Sequence, residues 1–398
     1  MLLSQIKQDS TIALNYLERL VNNGSPSGFS EKNTASKETN PFTSEGYYIC
    51  RLTGADKVEN YGNVPECFFK TNAILCHPDW KRAIPSDVGF EVEEQLVIPT
   101  SSVRTIKMNG LDYYIKLSYP GVIGRLARDL DEQHILSSIQ INGIMQGLTN
   151  NSKMPDSFAF LPESGGQLFI KGDFKTGCVF RQSKPIGKNA GSISYIIPAF
   201  SLFGVDRKNP QDDFLLLQIL KEKKQPEQFL FSQIIKPLIE IYFTCVLEEG
   251  LSAELHSQNV LLGFNNTDDV VAIILRDLES VDKDNTIRRQ LGKSEFLTTF
   301  KSIEEGRDYN YKIKHSFMYD HKLGEYLIEE LINCAQKGGF IESAKIINKI
   351  RSFVNEKYGN VIKDFFPEDG LWYKFEDVEI DRNSSMRPYK KLTHPILR

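Results

Sequence analysis

One stretch limits the folds open to this chain more than any other. From Glu254 the sequence runs Glu-Leu-His-Ser-Gln-Asn, then apolar Val260-Leu261-Leu262-Gly263-Phe264, then Asn265-Asn266. It returns through Val270-Val271-Ala272-Ile273-Ile274-Leu275 to Arg276-Asp277-Leu278-Glu279. Two short apolar runs around an Asn-Asn turn predict a hairpin over 259–264 and 270–278. Antiparallel strands juxtapose their outer ends, so Asn259 is expected close to Asp277. An amide oxygen and a carboxylate placed together are hard ligands of the kind Mg²⁺ takes alongside substrate phosphates. His256, just upstream, could donate to a phosphate oxygen. The same residues also suit a polar loop capping a strand with ordinary hydrogen bonds, and their chemistry alone leaves both readings open.

A second hairpin is expected earlier. A strand over 91–98 leads into Thr100-Ser101-Ser102-Val103-Arg104-Thr105. Met108-Asn109-Gly110-Leu111 follows, and Asn-Gly supplies the positive φ angles of a tight turn. The returning run, Asp112 to Leu117, carries Lys116 and ends at Pro120-Gly121. Arg104 and Lys116 each lie six residues from Gly110, so the two arms should bring them together. Hydroxyl donors with fixed cations suit a triphosphate, which needs neutralisation and Arg forks to hold one pose. A solvated charged hairpin is the competing reading. His77-Pro78-Asp79-Trp80-Lys81 is a third polar segment, and by itself His-Pro marks a turn.

The remaining chain reads as α+β. Leu3, Ile6, Leu14, Leu17 and Val21 predict an opening helix that stops at Asn22-Asn23-Gly24. Residues 23–46 read as a mobile loop rich in Ser, Asn, Gly, Thr and Pro. Val122, Leu126, Leu130, Ile135 and Ile139 suggest a helix following the first hairpin. Short strands are expected at 168–170 and 178–181, helices over 211–249 with a stop at Gly250, and mainly helix from about 292 to 361. Three regions follow: 1–65, a helix and a loop; 66–205, strand-rich; and 206–398, helix-rich around the late hairpin.

Composition narrows the function classes. The 398 residues include 48 basic and 52 acidic side chains, a net charge of −4. That balance gives no support for nucleic acid as a main partner. No uninterrupted apolar run approaches the roughly 18 residues that span a bilayer, and the N-terminus lacks the pattern of a signal peptide. Six dispersed cysteines without C-x-x-C indicate neither a zinc site nor a disulfide framework. A cytoplasmic protein without a membrane partner is therefore expected.

Together these segments resemble the IucA/IucC family, the NRPS-independent siderophore synthetases. The matching segments, in order, are His77-Pro78-Asp79-Trp80-Lys81; Thr100 to Thr105; Lys116-Leu117 with Arg128 twelve positions after the lysine; Glu254 to Asn259; and Arg276-Asp277. Gly250 also fits. The likeness covers roughly residues 66–340, with a looser echo in Thr393-His394-Pro395-Ile396. Two features depart from the family pattern. The chain is much shorter than usual, and Ile74-Leu75 stand where members carry another His-Pro.

The resemblance implies an ATP-dependent ligase that adenylates a citrate-like carboxylic acid and passes the acyl group to an amine or alcohol. It implies a β-hairpin-rich ATP-binding portion, a helical palm-like C-terminal portion and a possible homodimer. Ser102, Arg104, Lys116, Arg128, His256 and Gln258 would contact ATP phosphates or the adenylate. Arg104, Lys116 and His256 would act in catalysis, and Asn259, Asp277 and Glu254 would hold Mg²⁺. Two other readings stay open: a kinase-like phosphotransferase, although no G-x-G-x-x-G loop is present, and a nucleotide-binding relative without catalysis.

Overall fold

A computed structural model of the chain describes residues 2–23, 39–40, 42, 46–108, 110–123, 126–307, 311–367, 370–375 and 389–398. Most of the expected loop over 23–46 lies outside them, as does Asn109 of the first turn. Runs rich in β-branched and aromatic residues form an eight-stranded sheet. Its spatial order is Lys57–Gly62, Gly165–Lys171, Phe174–Gln182, Tyr113–Leu117, Thr105–Met108, Gly89–Pro99, Tyr47–Thr53 and Ala73–Cys76. All its pairings are antiparallel. The first expected hairpin is present, but its register differs by one residue from a count centred on Gly110. Thr105 pairs with Lys116, and Arg104 O accepts from Leu117 N at 2.9 Å. The turn is centred between Gly110 and Leu111, and its Leu111 N donates to Met108 O at 3.4 Å.

A smaller sheet runs Ile186–Gly187, Phe158–Phe160, Val270–Leu275, Val260–Phe264, Tyr195–Pro198. The late hairpin lies inside it, with Val260 opposite Leu275 and a register shift at Gly263/Phe264. Asn265 closes the turn by accepting from Thr267 N and Asp269 N, both at 2.9 Å. Both faces of this hairpin are covered. Leu262, Phe264 and Ile273 join the helical core, while Leu261, Ala272 and Ile274 pack with Ala159 and Leu161 on the other face. Double burial explains why these strands read as continuous apolar runs without alternation.

One helical segment, Pro226–Glu249, organises the rest. It changes from α (Pro226–Phe229) to a π stretch (Leu230–Ile235) and back to α (Lys236–Glu249). By length and composition it is apolar enough to cross a membrane. In this fold Leu230, Ile235, Leu238, Ile239, Ile241 and Tyr242 are buried by the surrounding helices. These include Glu330–Lys337, Ser343–Phe365 and the π stretch Phe317–Glu329. The opening helix is two, Leu3–Gln8 and Ser10–Leu20, broken at extended Asp9. Their Leu3, Ile6 and Leu17, with Val21 just beyond the second helix, enter this same core.

The helix expected from Val122 starts later. Tyr119–Ile123 and Leu126–Arg128 form an antiparallel pair, and the helix is Glu132–Asn150. Asp131 sets its start by accepting from His134 N at 3.1 Å, an N-cap that apolar spacing alone does not locate. Ile135 and Ile139 then pack against Leu168 and Val179 of the large sheet.

Gly250 ends the long helix at φ 63°. A Cβ there would meet Asp284 O at 2.8 Å and Arg288 Cγ at 2.9 Å. Gly110 also has positive φ, but nothing lies within 4 Å of its would-be Cβ. Gly250→Ala is expected to cost about 2 kcal/mol from backbone strain and crowding, and Gly110→Ala less than half of that. Urea unfolding midpoints of the two variants measure the difference; equal losses would contradict it.

Candidate phosphate-binding site

The loop over residues 100–104 connects Gly89–Pro99 to Thr105–Met108. It is closed by Thr100 N to Thr105 O at 2.8 Å and Val103 N to Thr100 O at 3.2 Å. Ser102 Oγ serves the loop itself, accepting from Thr105 N at 3.2 Å and lying 3.2 Å from Thr100 Oγ1. Val103 is fully buried at φ 67°, an unusual conformation for a β-branched residue. Such strain persists where the surroundings over-determine it, commonly at functional sites. Here it turns Arg104 inward. Arg104 Nη1 donates to Arg128 O at 2.9 Å, and Nη2 to Glu279 Oε1 at 3.1 Å. Lys116, across the hairpin, is 2% exposed and bonds Glu279 at 2.7 Å and Asp277.

The late hairpin presents Asp277 from the other side. Leaving its strand, the chain enters the left-handed region at Asp277 (φ 71°, ψ 57°). Its carboxylate thereby meets Lys116 and, at 2.5 Å, Arg181 Nη2. Arg181 Nε also donates to the fully buried Glu163 at 2.7 Å. Glu163 in turn accepts from Ser138 Oγ at 3.0 Å and Leu278 N at 3.1 Å. Asn259 and Asp277 are linked through Ser280. Asn259 Nδ2 reaches Ser280 Oγ at 3.3 Å, and Ser280 Oγ donates to Asp277 O at 2.6 Å.

Residues 254–258 form a turn stabilised by His256, whose Nδ1 accepts from Gln258 N at 3.1 Å. Gln258 O accepts from Arg276 Nε at 2.8 Å. Glu254 is paired with Lys322 at 3.0 Å, a lysine of the π stretch, and lies 3.8 Å from His256 Nε2. Electrostatics follow from this crowding. Burial raises the Asp277 carboxyl, but Lys116 and Arg181 overcome it and hold the group well below the usual carboxylate range. Glu279 is likewise raised by burial yet brought down to about 2 by Lys116 and Arg104. Lost hydration, then the Arg104 charge, lowers Arg128, while Asp277, Glu279 and Glu254 oppose that shift. Burial lowers His256 to about 4 despite Glu254.

Arg104, Lys116, Arg128, Asn259 and Asp277 are therefore one cluster. His256, Gln258 and Glu254 border it, and Ser102 lies in the adjoining loop. Sequence reasoning missed Arg181, Glu163 and Lys322 and assigned no role to Glu279. Arg181 did leave a signal: an ionised side chain after Cys178-Val179-Phe180, in a strand with covered faces, requires a buried carboxylate. Lys322 left none, since a helix lysine is ordinarily solvated.

The His-Pro segment lies behind the same hairpin. His77 is fully buried between the Tyr47 and Tyr119 rings, and its Nδ1 caps a short 3₁₀ turn through Asp79 N at 3.2 Å. Trp80 Nε1 donates to Ser118 O at 2.9 Å, two residues beyond Lys116. The segment thus braces the strand carrying that lysine. A cavity of about 640 Å³ lined by Tyr311, Lys312, Tyr373 and Lys391 is separate, sharing no lining residue with the ion-pair cluster.

No protein-family model and no curated protein sequence matches the chain. Solved structures do. ATP-bound aerobactin synthetase IucA from Klebsiella pneumoniae superposes with a TM-score of 0.69 at 14% identity, covering 99% of this chain and 80% of that one. The petrobactin biosynthesis protein AsbB from Bacillus anthracis gives 0.72 at 14% identity, over 96% and 75%. Aerobactin synthetase IucC from Klebsiella pneumoniae gives 0.69 at 10%, over 96% and 76%. The expected α+β fold is therefore observed: the chain has the architecture of siderophore synthetases, in a shortened form.

Two measurements probe the cluster and its brace. Arg181→Met leaves Glu163 without its cation and is expected to cost about 3–5 kcal/mol, with Arg181→Lys losing less; urea unfolding distinguishes them, and equal stability of all three proteins would contradict the buried pairing. Burial holds His77 at about 4, down from 6.5, with Asp79 opposing and Arg82 reinforcing the shift. Its contribution to stability is complete above pH 6.5 and lost as pH falls through about 4. The unfolding midpoint should decline over that window, and less steeply in His77→Gln.

Proposed function

We propose that this protein is an ATP-dependent carboxylate–amine (or alcohol) ligase acting through an acyl-adenylate, in siderophore or related natural-product biosynthesis, in the cytoplasm. The observation that carries the proposal is the convergence of Arg104, Lys116, Arg128 and Asp277 between two hairpins. The fold shared with an ATP-bound aerobactin synthetase gives that convergence its context. A citrate-like acid and an amine or alcohol would be the substrates, and a homodimer is the proposed assembly.

The donor set suits a nucleotide that brings its own Mg²⁺. Among the described residues no group of three or more His, Cys, Asp and Glu could hold a metal ion unaided. Mg²⁺ commonly takes one or two carboxylates and completes its shell with phosphates and water. Asp277 and Asn259, linked through Ser280, would hold the ion; Glu254, at the border of the cluster and outside that link, would contribute least. The ion supplies charge neutralisation at phosphate oxygens. Arg104, Lys116 and Arg128 would bind the phosphates and offset charge that grows as pyrophosphate departs. His256, kept neutral by burial, would donate a hydrogen bond, with Gln258 beside it and Ser102 fixing the loop. The nucleophile's attack would gain chiefly from being held near the acyl carbon.

The test is product analysis with ATP, Mg²⁺, polycarboxylic acids and hydroxylamine as trap. Pyrophosphate and hydroxamate are the expected products; ADP would indicate the phosphotransferase, and bound but unconverted ATP a non-catalytic relative. Lys116→Met and Arg104→Met, checked for folding by circular dichroism, should each lower kcat/KM about 100-fold or more. Full activity in both would remove the hairpin from the site.

A further inference from the structure

The first and second halves of the cluster come from distant segments, and one buried carboxylate from a third segment touches both. Glu18, near the end of helix Ser10–Leu20, is 3% exposed. Its Oε1 accepts from Arg276 Nη1 at 2.5 Å and its Oε2 from Arg276 Nη2 at 3.3 Å. The second oxygen also accepts from Ser101 Oγ at 2.9 Å. Ser101 belongs to the loop that positions Arg104. Arg276 immediately precedes Asp277, and its Nε donates to Gln258 O at 2.8 Å. Arg276 N additionally donates to Asn259 O at 3.0 Å.

We propose that Glu18 is a positioning residue that clamps the 100–105 loop to the Gln258–Asp277 hairpin, making the N-terminal helix a working part of the site. A bidentate guanidinium–carboxylate pair fixes both distance and orientation, which a single hydrogen bond does not. Glu18 cannot move without displacing Arg276, and Arg276 cannot move without releasing Gln258 O. The helix is itself anchored, since Leu17 and Val21 are buried in the helical core, so the clamp has a rigid base. Tyr114, on the strand beside Lys116, lies close enough to sense the pair: burial first and the Glu18 charge second raise its hydroxyl to about 12, with Arg276 and Arg181 opposing the shift. Removing this carboxylate would leave the buried Arg276 without an anionic partner.

The catalytic consequence rests on the proposed function, but the clamp itself can be read without nucleotide. Hydrogen–deuterium exchange on the ligand-free protein compares wild type, Glu18→Gln and Ser101→Ala. Glu18→Gln keeps the shape and weakens both contacts, so exchange should rise together in residues 100–105 and 254–280 and stay unchanged in 236–246. Ser101→Ala should raise exchange in 100–105 only. A rise confined to residues 10–20 in Glu18→Gln would overturn the clamp. Calorimetric titration with MgATP then reads the consequence: Glu18→Gln should weaken nucleotide affinity about tenfold while Ser101→Ala changes it less. If wild type binds no MgATP while exchange still couples the two loops, the proposed function fails and the clamp stands. Coupled exchange with unchanged MgATP affinity would restrict Glu18 to a structural role and overturn the positioning claim.

Discussion

The ammonium of Lys116 lies between Asp277 and Glu279, joining two sheets that share no strand. An ammonium removed from water without partners is penalised by several kcal/mol, so this lysine is stable only when the late hairpin docks against the early one. Arg104 and Arg181 extend the contact on either side, to Glu279 and Asp277. Arg181 carries it inward to Glu163, which receives the backbone N–H of Leu278. Each carboxylate serves more than one donor, and removing Arg181 would leave the fully buried Glu163 without a cation.

Such a network has two properties useful to a nucleotide site. Its members are fixed before a ligand arrives, so little reorganisation is required on binding. Its cations, Arg104, Lys116, Arg128 and Arg181, outnumber the carboxylates Asp277, Glu279 and Glu163 they surround. That excess favours an anion brought against it. The backbone is left-handed at Val103 and at Asp277, one on each side, and at Val103 the conformation is one that a β-branched residue disfavours.

Much of this was legible in the chain. The late hairpin was visible because both of its strands are buried on two faces, leaving unbroken apolar runs between polar ends. Asn259 and Asp277 were expected together for the simple reason that hairpin ends meet. The proximity of Arg104 and Lys116 followed from the Asn-Gly turn, although the true centre, beyond Gly110, shifted the register by one. The helix expected from Val122 shows where periodicity misleads: of five apolar residues at helical spacing, Val122 and Leu126 fall in a strand pair, Leu130 in the connection, and Ile135 and Ile139 in a later, Asp131-capped helix. Lys322 and Glu18 could not be singled out, because a helix lysine and a helix glutamate carry no local mark of burial.

By itself, then, the sequence determined the local elements and the ends they bring together, since turn chemistry and apolar patterning act over a few residues. Only the tertiary structure decided which charges meet. Arg181 finding Asp277, Glu254 turning to Lys322 and Glu18 holding Arg276 all join segments far apart in the chain. A buried charge must have a partner, but the identity of that partner is fixed by how the sheets and helices pack.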